Sequence, residues 1–261
     1  MRVSRLLTAL CLIFCCAPAF AWSYRGHRVV AFIAYERLTP QTRARVDELI
    51  RKHSDYETIL TKGAPTDPAG RARYAFLTAA AWPDMIRNDP RTYDETRADA
   101  SPPLYPTSIL DPRRHPTWHY YDIPLSGDGT PGKFSPPPNA LTELDRLIPE
   151  MAATKDDALA AYDLLWVEHL VGDVHQPLHA VSRYLDSQPT GDAGGNYVYF
   201  EGNRTLHGIW DDAGGLLPYT AQDSPDDADT IRLAHELTAE YPEPPGLSLT
   251  PKDWINESFA L

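Results

Sequence analysis

The stretch from His169 to His179 constrains this chain more than any other part of the sequence. It places three histidines and an aspartate within eleven residues that otherwise read as an apolar helix. His169 and Asp173 are four positions apart, so on a helix they share one face. His175 and His179 repeat that spacing, and Pro177 predicts a bend or an end of the helix. Imidazole and carboxylate groups that converge on one point are zinc ligands, so four of them favour a metal site over ordinary hydrogen-bonded histidines.

The N-terminal 21 residues have the pattern of a secretory signal peptide. A basic start precedes a short apolar core over residues 6–16, and a small-x-small triplet ends at Ala21. The apolar core is too short for a permanent membrane anchor, so we favour a signal over a membrane helix. Cleavage after Ala21 would leave Trp22 as the first residue. We therefore expect an exported protein, periplasmic or secreted, without stable membrane association.

All three cysteines lie within that signal, at Cys11, Cys15 and Cys16. The mature chain would have neither disulfides nor thiolate ligands, so nitrogen and oxygen atoms alone would hold any metal. Acidic residues outnumber basic ones by 36 to 24, which argues against a broad basic face for duplex DNA. The attraction for a phosphate ester would have to come from local ions instead.

Hydrophobic spacing predicts a mainly α protein with long loops. We expect one domain over residues 22–261, since about 240 residues suffice for a single sizeable core. The predicted helices cover residues 28–52 with a break at Thr39-Pro40, 74–87, 140–153 and 156–178, with a helix start at 205–211 and an amphipathic turn near Trp254. Residues 118–124 are predicted to be extended and 196–200 to form a short strand. The predicted loops cover residues 88–116, 127–139 and 182–195.

The chemistry of the first motif recurs at four other places. These are His27, Asp84, His119 with Asp122, and His207 with Asp211. His207 and Asp211 again share one helical face. Each residue alone would more often be an ordinary polar side chain, but together they favour a site with several metal ions. The histidines outside these motifs, His53, His115 and His235, are interpreted as structural.

The order of these motifs resembles that of the zinc-dependent, single-strand-specific nucleases of the S1/P1 type. The resemblance covers nearly all of residues 22–261. It rests on Trp22 with Gly26-His27, Trp82-x-Asp84, Trp118-His119, His169-x3-Asp173-x5-His179, Gly191-Asp-x-Gly-Gly-Asn196 and His207-x3-Asp211. It implies a single-domain helical fold with long ordered loops, shared with bacterial zinc phospholipase C.

The resemblance also implies three zinc ions. The first would be held by Asp84, His119, His169 and Asp173, and the second by His179, His207 and Asp211. The third would be bound by the α-amine and carbonyl oxygen of Trp22, by His27 and by the other oxygen of Asp173. A free α-amine loses its proton to zinc near neutral pH, whereas an amide nitrogen in an uncleaved chain could not ligate in that way. His175 matches no ligand position, so it either supports a ligand or lies at the surface.

The activity implied by the resemblance is endonucleolytic hydrolysis of phosphodiester bonds in single-stranded DNA and RNA. The products would carry 5′-phosphates, and a 3′-nucleotidase activity remains open. The catalytic residues would be Asp84 and Arg87. The guanidinium of Arg87 would neutralise the phosphoryl oxygens. Asp122 and Asn196 match positions that hydrogen-bond a nucleobase. Tyr120 would offer a stacking surface, which only an unpaired base can use.

The same sequence leaves two alternative functions. A zinc-dependent phospholipase C would share the metal ligands, but that branch usually has Glu at the position of Asp211 and a longer spacing from Trp22 to the first histidine. The second alternative is a zinc-storing or zinc-stabilised protein without activity. Single-stranded nucleic acid and nucleotides are the expected substrates. No protein partner is evident, and we expect a monomer.

Overall fold

The computed structural model describes residues 22–103, 108–200, 202, 204–217, 224–242 and 246–261. The predicted signal peptide lies outside these residues. Helices dominate the described chain, beside one small sheet of two strands, so the prediction of a mainly α fold is confirmed. Within the same residues, no helix combines the length and the apolar character needed to cross a membrane.

A buried helix, α6 (Asp157–Val174), lies at the centre of the fold. The side chain of Asp156 caps it by accepting hydrogen bonds from the backbone amides of Ala158 and Leu159. No residue of α6 is exposed from Ala160 onward, which is the pattern of a helix packed on all sides. The helix α5 (Ala140–Ala153) packs along it. Their shared core contains the fully buried Leu144, Leu147, Leu165, Trp166 and Leu170.

The N-terminal half wraps around α6. It consists of α1 (Tyr24–Arg37), α2 (Pro40–Ile50), a π-helical turn (Tyr56–Leu60), α3 (Pro68–Ala79), α4 (Trp82–Met85) and a 3-10 turn (Ile86–Asn88). The predicted break between α1 and α2 is confirmed, because Thr39 caps α2 and Pro40 is its first residue. The predicted start of the second helix at Tyr74 is wrong: α3 starts at Pro68, where Asp67 accepts a hydrogen bond from the amide of Gly70.

Beyond Val174 the chain turns sharply, as Pro177 predicts. The helix ends three residues earlier, and a 3-10 turn (Pro177–His179) leads into the strand β2 (Val181–Tyr184). This strand pairs in parallel with β1 (Ile123–Ser126). Two further backbone hydrogen bonds extend the ladder towards the 3-10 turn, from the amide of Tyr121 to His179 O (2.9 Å) and from that of Ile123 to Ala180 O (3.0 Å).

The remaining α-helices of the described residues are α7 (Leu206–Asp211), α8 (Ala228–Glu240) and α9 (Pro251–Phe259). No helix was predicted over the residues of α8, although Asp227 caps it and its buried Thr230 and Ala234 are four residues apart. The strand predicted over 196–200 is wrong, since turns and one isolated bridge occupy that segment. The loop predicted from residue 182 is wrong at its start, where β2 lies, and the extended structure predicted over 118–124 forms a strand only from Ile123.

Candidate metal centre

The helix α6 carries His169 and Asp173 on one buried face, as their spacing predicts. Their side chains are completely buried, with His169 Nε2 3.2 Å from Asp173 Oδ2. His119, from the segment before β1, enters the same space. Its Nδ1 lies 2.9 Å from Asp173 Oδ2 and 3.0 Å from His169 Nε2. Asp84, on α4, completes the group, with Oδ1 3.8 Å from His169 Nε2 and 3.9 Å from His119 Nδ1.

The second oxygen of Asp173 faces a different histidine. Its Oδ1 lies 3.2 Å from Nε2 of His27, which α1 brings to the opposite side of the carboxylate. The rings of His27 and His169 stack, with centroids 4.1 Å apart. Gly172 permits this approach, because a Cβ there would lie only 2.9 Å from His27 Nδ1. Asp173 therefore lies between His27 and the pair His119 and His169. One carboxylate oxygen faces His27, and the other faces the pair.

A separate cluster is formed by His179, His207 and Asp211. His207 Nε2 lies 3.1 Å from His179 Nε2 and 3.7 Å from Asp211 Oδ1. The other ring nitrogen of each histidine donates to a carbonyl oxygen, that of His119 for His179 (2.6 Å) and that of Gly194 for His207 (2.7 Å). Since carbonyls only accept, these bonds leave Nε2 unprotonated and directed into the cluster.

Gly194 has a backbone role in this cluster. Its φ of +60° lies in the left-handed region, and a Cβ would lie 2.3 Å from Leu178 O. Only glycine fits that position, which directs its carbonyl oxygen at the ring of His207. The glycine motif before Asn196 thus orients a histidine of the second cluster.

The donor atoms fit metal ions. Three buried groups have ligand atoms within 4.8 Å of one another: His27, His169 and Asp173; Asp84, His119 and His169; and His179, His207 and Asp211. Among the described residues, both oxygens of Asp84, Oδ1 of Asp173 and Nε2 of His27 are buried without a hydrogen bond. A bound cation would satisfy them. Because His169 Nδ1 donates to Ala80 O (2.8 Å), only its Nε2 is free, and His169 can serve one ion.

Burial controls the protonation of the ligand side chains. It lowers the pKa of His179 to about 3 and that of His119 to about 4, so both imidazoles are neutral at pH 7. Burial opposes ionisation of Asp173, but the charge of His169 and the hydrogen bond from His119 outweigh it and hold the pKa of Asp173 well below its usual range. Burial raises the pKa of Asp211 to about 9, so a nearby cation is needed to keep that carboxylate charged.

One cavity of about 530 Å³ opens onto both clusters. Its volume falls in the range of pockets that bind small ligands. The predicted substrate-binding residues Tyr120, Asp122 and Asn196 all line it, together with Arg87, His119, His179 and His207. The residues predicted to contact a base therefore line the same cavity as candidate metal ligands.

Arg87, which lines this cavity, is a close neighbour of Asp84. The consecutive turns at Trp82–Met85 and Ile86–Asn88 place the two side chains together. Arg87 Nε lies 3.1 Å from Asp84 Oδ1. The carboxylate is completely buried, and the arginine side chain is 16 % exposed. Arg87 thus contacts a candidate metal ligand and also lines the cavity.

Trp22 lies beside the centre although it precedes the first helix. Its indole Nε1 donates to Gly172 O (3.0 Å), next to Asp173. The next amide, of Ser23, donates to Asp211 O (2.9 Å), in the other cluster. The start of the described chain is therefore fixed between the two clusters.

A family model described as S1/P1 Nuclease matches residues 22–261, essentially the whole described chain. The chain belongs to the S1/P1 nuclease family. The resemblance drawn from the motifs is thereby confirmed, and the protein is a nuclease, a phosphodiester hydrolase that acts on nucleic acids. No curated protein matches the chain.

The histidines outside the motifs of this nuclease have packing partners. His53 packs edge-on against Trp82, and His235 against Phe32. His115 stacks on Trp118 with centroids 3.7 Å apart. The exposed His175 has its Nδ1 2.6 Å from Val171 O.

Gln176, a fully buried side chain in the nuclease, was not predicted as a functional residue. Its amide nitrogen donates to Asp211 Oδ1 (2.7 Å), and its amide oxygen accepts from the amide of Leu178 (2.6 Å). Gln176 thus orients a carboxylate of the second cluster while it holds the turn that carries His179. Its place within the histidine motif was the available signal, but only the fold shows what it contacts.

Replacing Gln176 by leucine should weaken metal binding by the second cluster. The leucine fills a similar volume but cannot hold Asp211, and losing such an outer hydrogen bond typically costs ten- to a hundredfold in metal affinity. Titration against a competing chelator measures this change. Gln41→Ala, on the exposed surface of α2, is the control. Wild-type affinity in the leucine variant would show that Asp211 needs no such support.

Proposed function

We propose that this nuclease is an exported, zinc-dependent endonuclease that cleaves single-stranded DNA and RNA to 5′-phosphate products. Removal of a 3′-phosphate from nucleotides would be a second reaction of the same centre. The observation that carries the proposal is the shared cavity, onto which both histidine clusters and the side chains of Tyr120, Asp122 and Asn196 open. A nucleotide could place its phosphate at the metal ligands and its base at the other end.

Three zinc ions suit the donor atoms. The ligands are nitrogen and oxygen only, because residues 22–261 contain no cysteine. The proposed sets are Asp84, His119, His169 and Asp173; His179, His207 and Asp211; and Trp22, His27 and Asp173. When bound, zinc supplies Lewis acidity and lowers the pKa of water, as phosphodiester hydrolysis requires.

The protein's own residues prepare the reaction in three ways. Burial keeps the imidazoles of His119 and His179 neutral, and therefore able to ligate. Carbonyl acceptors fix the orientation of the rings in the second cluster. Arg87, next to Asp84, holds a permanent positive charge at the cavity edge, where it would stabilise the charge that develops on the phosphoryl oxygens.

Base recognition would use the other end of the cavity. Asn196 Nδ2 donates to Ala193 O (2.8 Å), which leaves its amide oxygen available to accept from a base. The Asp122 carboxylate offers a second acceptor, and the half-buried Tyr120 offers a ring face. A base must leave its duplex partner to stack in such a cavity, so unpaired strands would be preferred.

Asp122→Asn should change base preference more than catalysis. Burial and the neighbouring Asp192 raise the pKa of Asp122 to about 6, so its carboxylate is charged at pH 7. The amide replaces an acceptor by a donor and should alter the ratio of rates between the best and worst bases by about tenfold. Dinucleotides that differ in one base measure that ratio. The control is Asp145→Asn on the exposed face of α5, and an unchanged ratio would exclude Asp122 from base contact.

A direct assay tests the proposed function. Mature protein that begins at Trp22 is incubated with single-stranded DNA, RNA, duplex DNA and phosphatidylcholine, while metal analysis counts the zinc ions. We expect cleavage of the single strands, 5′-phosphate ends and about three zinc ions per chain. Lipid turnover without nucleic-acid cleavage would contradict the proposal in favour of a phospholipase C, which the family match does not favour. Bound zinc without hydrolysis would indicate an inactive zinc-binding protein.

The export proposal has its own test. Residues 1–21 have the signal pattern described above. Terminal sequencing of the protein recovered outside the cytoplasm should find Trp22 first. Recovery of an intact N-terminus from that fraction would contradict signal cleavage.

A further inference from the structure

Arg97 lines the cavity but belongs to neither histidine cluster. Its guanidinium pairs with Asp99, two residues along the chain, through bonds of 3.0 and 3.1 Å. The two side chains are 64 % and 73 % exposed. An ion pair with that exposure contributes little to stability. The pair can therefore open at small cost when another anion approaches.

The cavity-lining arginines of the described chain have different surroundings. Arg87 lies against the metal centre. Arg114 donates to the carbonyl oxygens of Asp89 and Thr92 and to the hydroxyl of Thr92, so its guanidinium holds the loop. Arg97 has an ion pair with an exposed carboxylate instead. In a chain with a formal net charge of −12, a cation on a substrate cavity has a clear electrostatic use.

We propose that Arg97 binds the phosphate of a nucleotide adjacent to the scissile bond. This inference rests on the proposed nuclease activity on single strands. Because the proposed function assigns Arg87 to the phosphate that is cleaved, Arg97, which lies outside the ligand groups on the same cavity, would meet another phosphate of the strand. The planar guanidinium suits two phosphate oxygens, which replace the carboxylate oxygens of Asp99.

One nearby charge opposes this contact and limits its strength. Asp94 also lines the cavity, and its Oδ1 accepts from the amide (3.0 Å) and the hydroxyl (2.6 Å) of Thr96. Those donors partly neutralise the carboxylate. The net preference for longer strands is therefore moderate, and it depends on salt because the groups involved are exposed.

Two substrates separate this contact from the chemical step. A dinucleoside monophosphate has only the scissile phosphate, whereas a single strand of about twelve nucleotides also has flanking ones. In Arg97→Ala, kcat/KM for the long strand should fall about three- to tenfold at low salt, and kcat for the dinucleotide should not change. The slope of log kcat/KM against log salt should become shallower by about 0.7.

Two further variants sharpen the test. Asp99→Asn frees the guanidinium and should raise kcat/KM for the long strand, but it should have no effect when combined with Arg97→Ala. Arg113→Ala is the matched control, because Arg113 is 50 % exposed, pairs with Asp111 two residues away and does not line the cavity. This control should match the wild-type enzyme on both substrates.

The outcomes distinguish the two proposals. Equal losses on both substrates, or the same loss in Arg113→Ala, would overturn the role of Arg97 while the nuclease activity stands. Unchanged cleavage of the long strand by Arg97→Ala would do the same. If the wild-type enzyme cleaves neither substrate, the proposed function fails and the phosphate contact fails with it.

Discussion

Asp173→Asn should lower nuclease activity on the order of a thousandfold or more. The two oxygens of Asp173 face different imidazoles, those of His119 and His169 on one side and that of His27 on the other. Asparagine keeps the shape but loses the charge and one acceptor. Losing the several kcal/mol that metal ions contribute to such a transition state corresponds to a loss of that size. Metal content should fall by about two ions per chain, because two of the proposed zinc sites share this carboxylate.

Metal analysis and initial rates on a single-stranded oligonucleotide measure both effects. Asp163→Asn is the matched control, since Asp163 is a fully buried aspartate on the same helix and belongs to none of the ligand groups. That variant should keep its metal. Asp173→Glu is a second variant, needed if Asp173→Asn folds poorly. Because glutamate restores the negative charge, it should recover part of the metal content. Full metal content in Asp173→Asn would show that Asp173 does not bridge two sites.

Retaining one residue before Trp22 should remove the third ion and lower activity about a hundredfold or more. Losses of rate of this size follow when one group that stabilises the charge of the transition state is removed. The proposed chelate uses the α-amine of Trp22, and an extra residue converts that amine into an amide, which cannot ligate. Trp22 lies between the two clusters, because its indole donates to Gly172 O and the next amide donates to Asp211 O.

The comparison needs two extended proteins. One carries a single alanine before Trp22, and the other carries the same alanine after Leu261. The C-terminal extension should retain wild-type zinc content and activity. The N-terminal extension should lose about one ion of the proposed three. If both extended proteins match the wild type, the terminal amine is not a ligand.

Local spacing predicted the parts of the centre that lie on one element. His169 with Asp173 and His207 with Asp211 are each four residues apart on a helix, and the structure places each pair on a buried face. Pro177 similarly predicted a nearby end of the helix, although α6 stops at Val174, four residues before the predicted end at residue 178. In each case the signal is a short-range rule of helix geometry.

Contacts between distant segments could not be predicted from spacing. No short-range sequence pattern predicts that Gln176 donates to Asp211, or that His179 donates to the carbonyl of His119. Arg97 was also missed, because its loop has no periodicity and its position on the cavity depends on tertiary packing. The family resemblance grouped distant residues into sets of ligands. Spacing alone gave only weak evidence that any one of them binds a metal.

The parallel ladder between β1 and β2 continues to the histidine clusters. The amides of Tyr121 and Ile123 bind carbonyls at His179 and Ala180, and the ring of His179 binds the carbonyl of His119. These bonds join the segment that carries His119 to the turn that carries His179, and so they hold the two clusters at a fixed separation. Such a frame would keep that separation when ions bind or leave, so the candidate ligands are preorganised before a metal arrives.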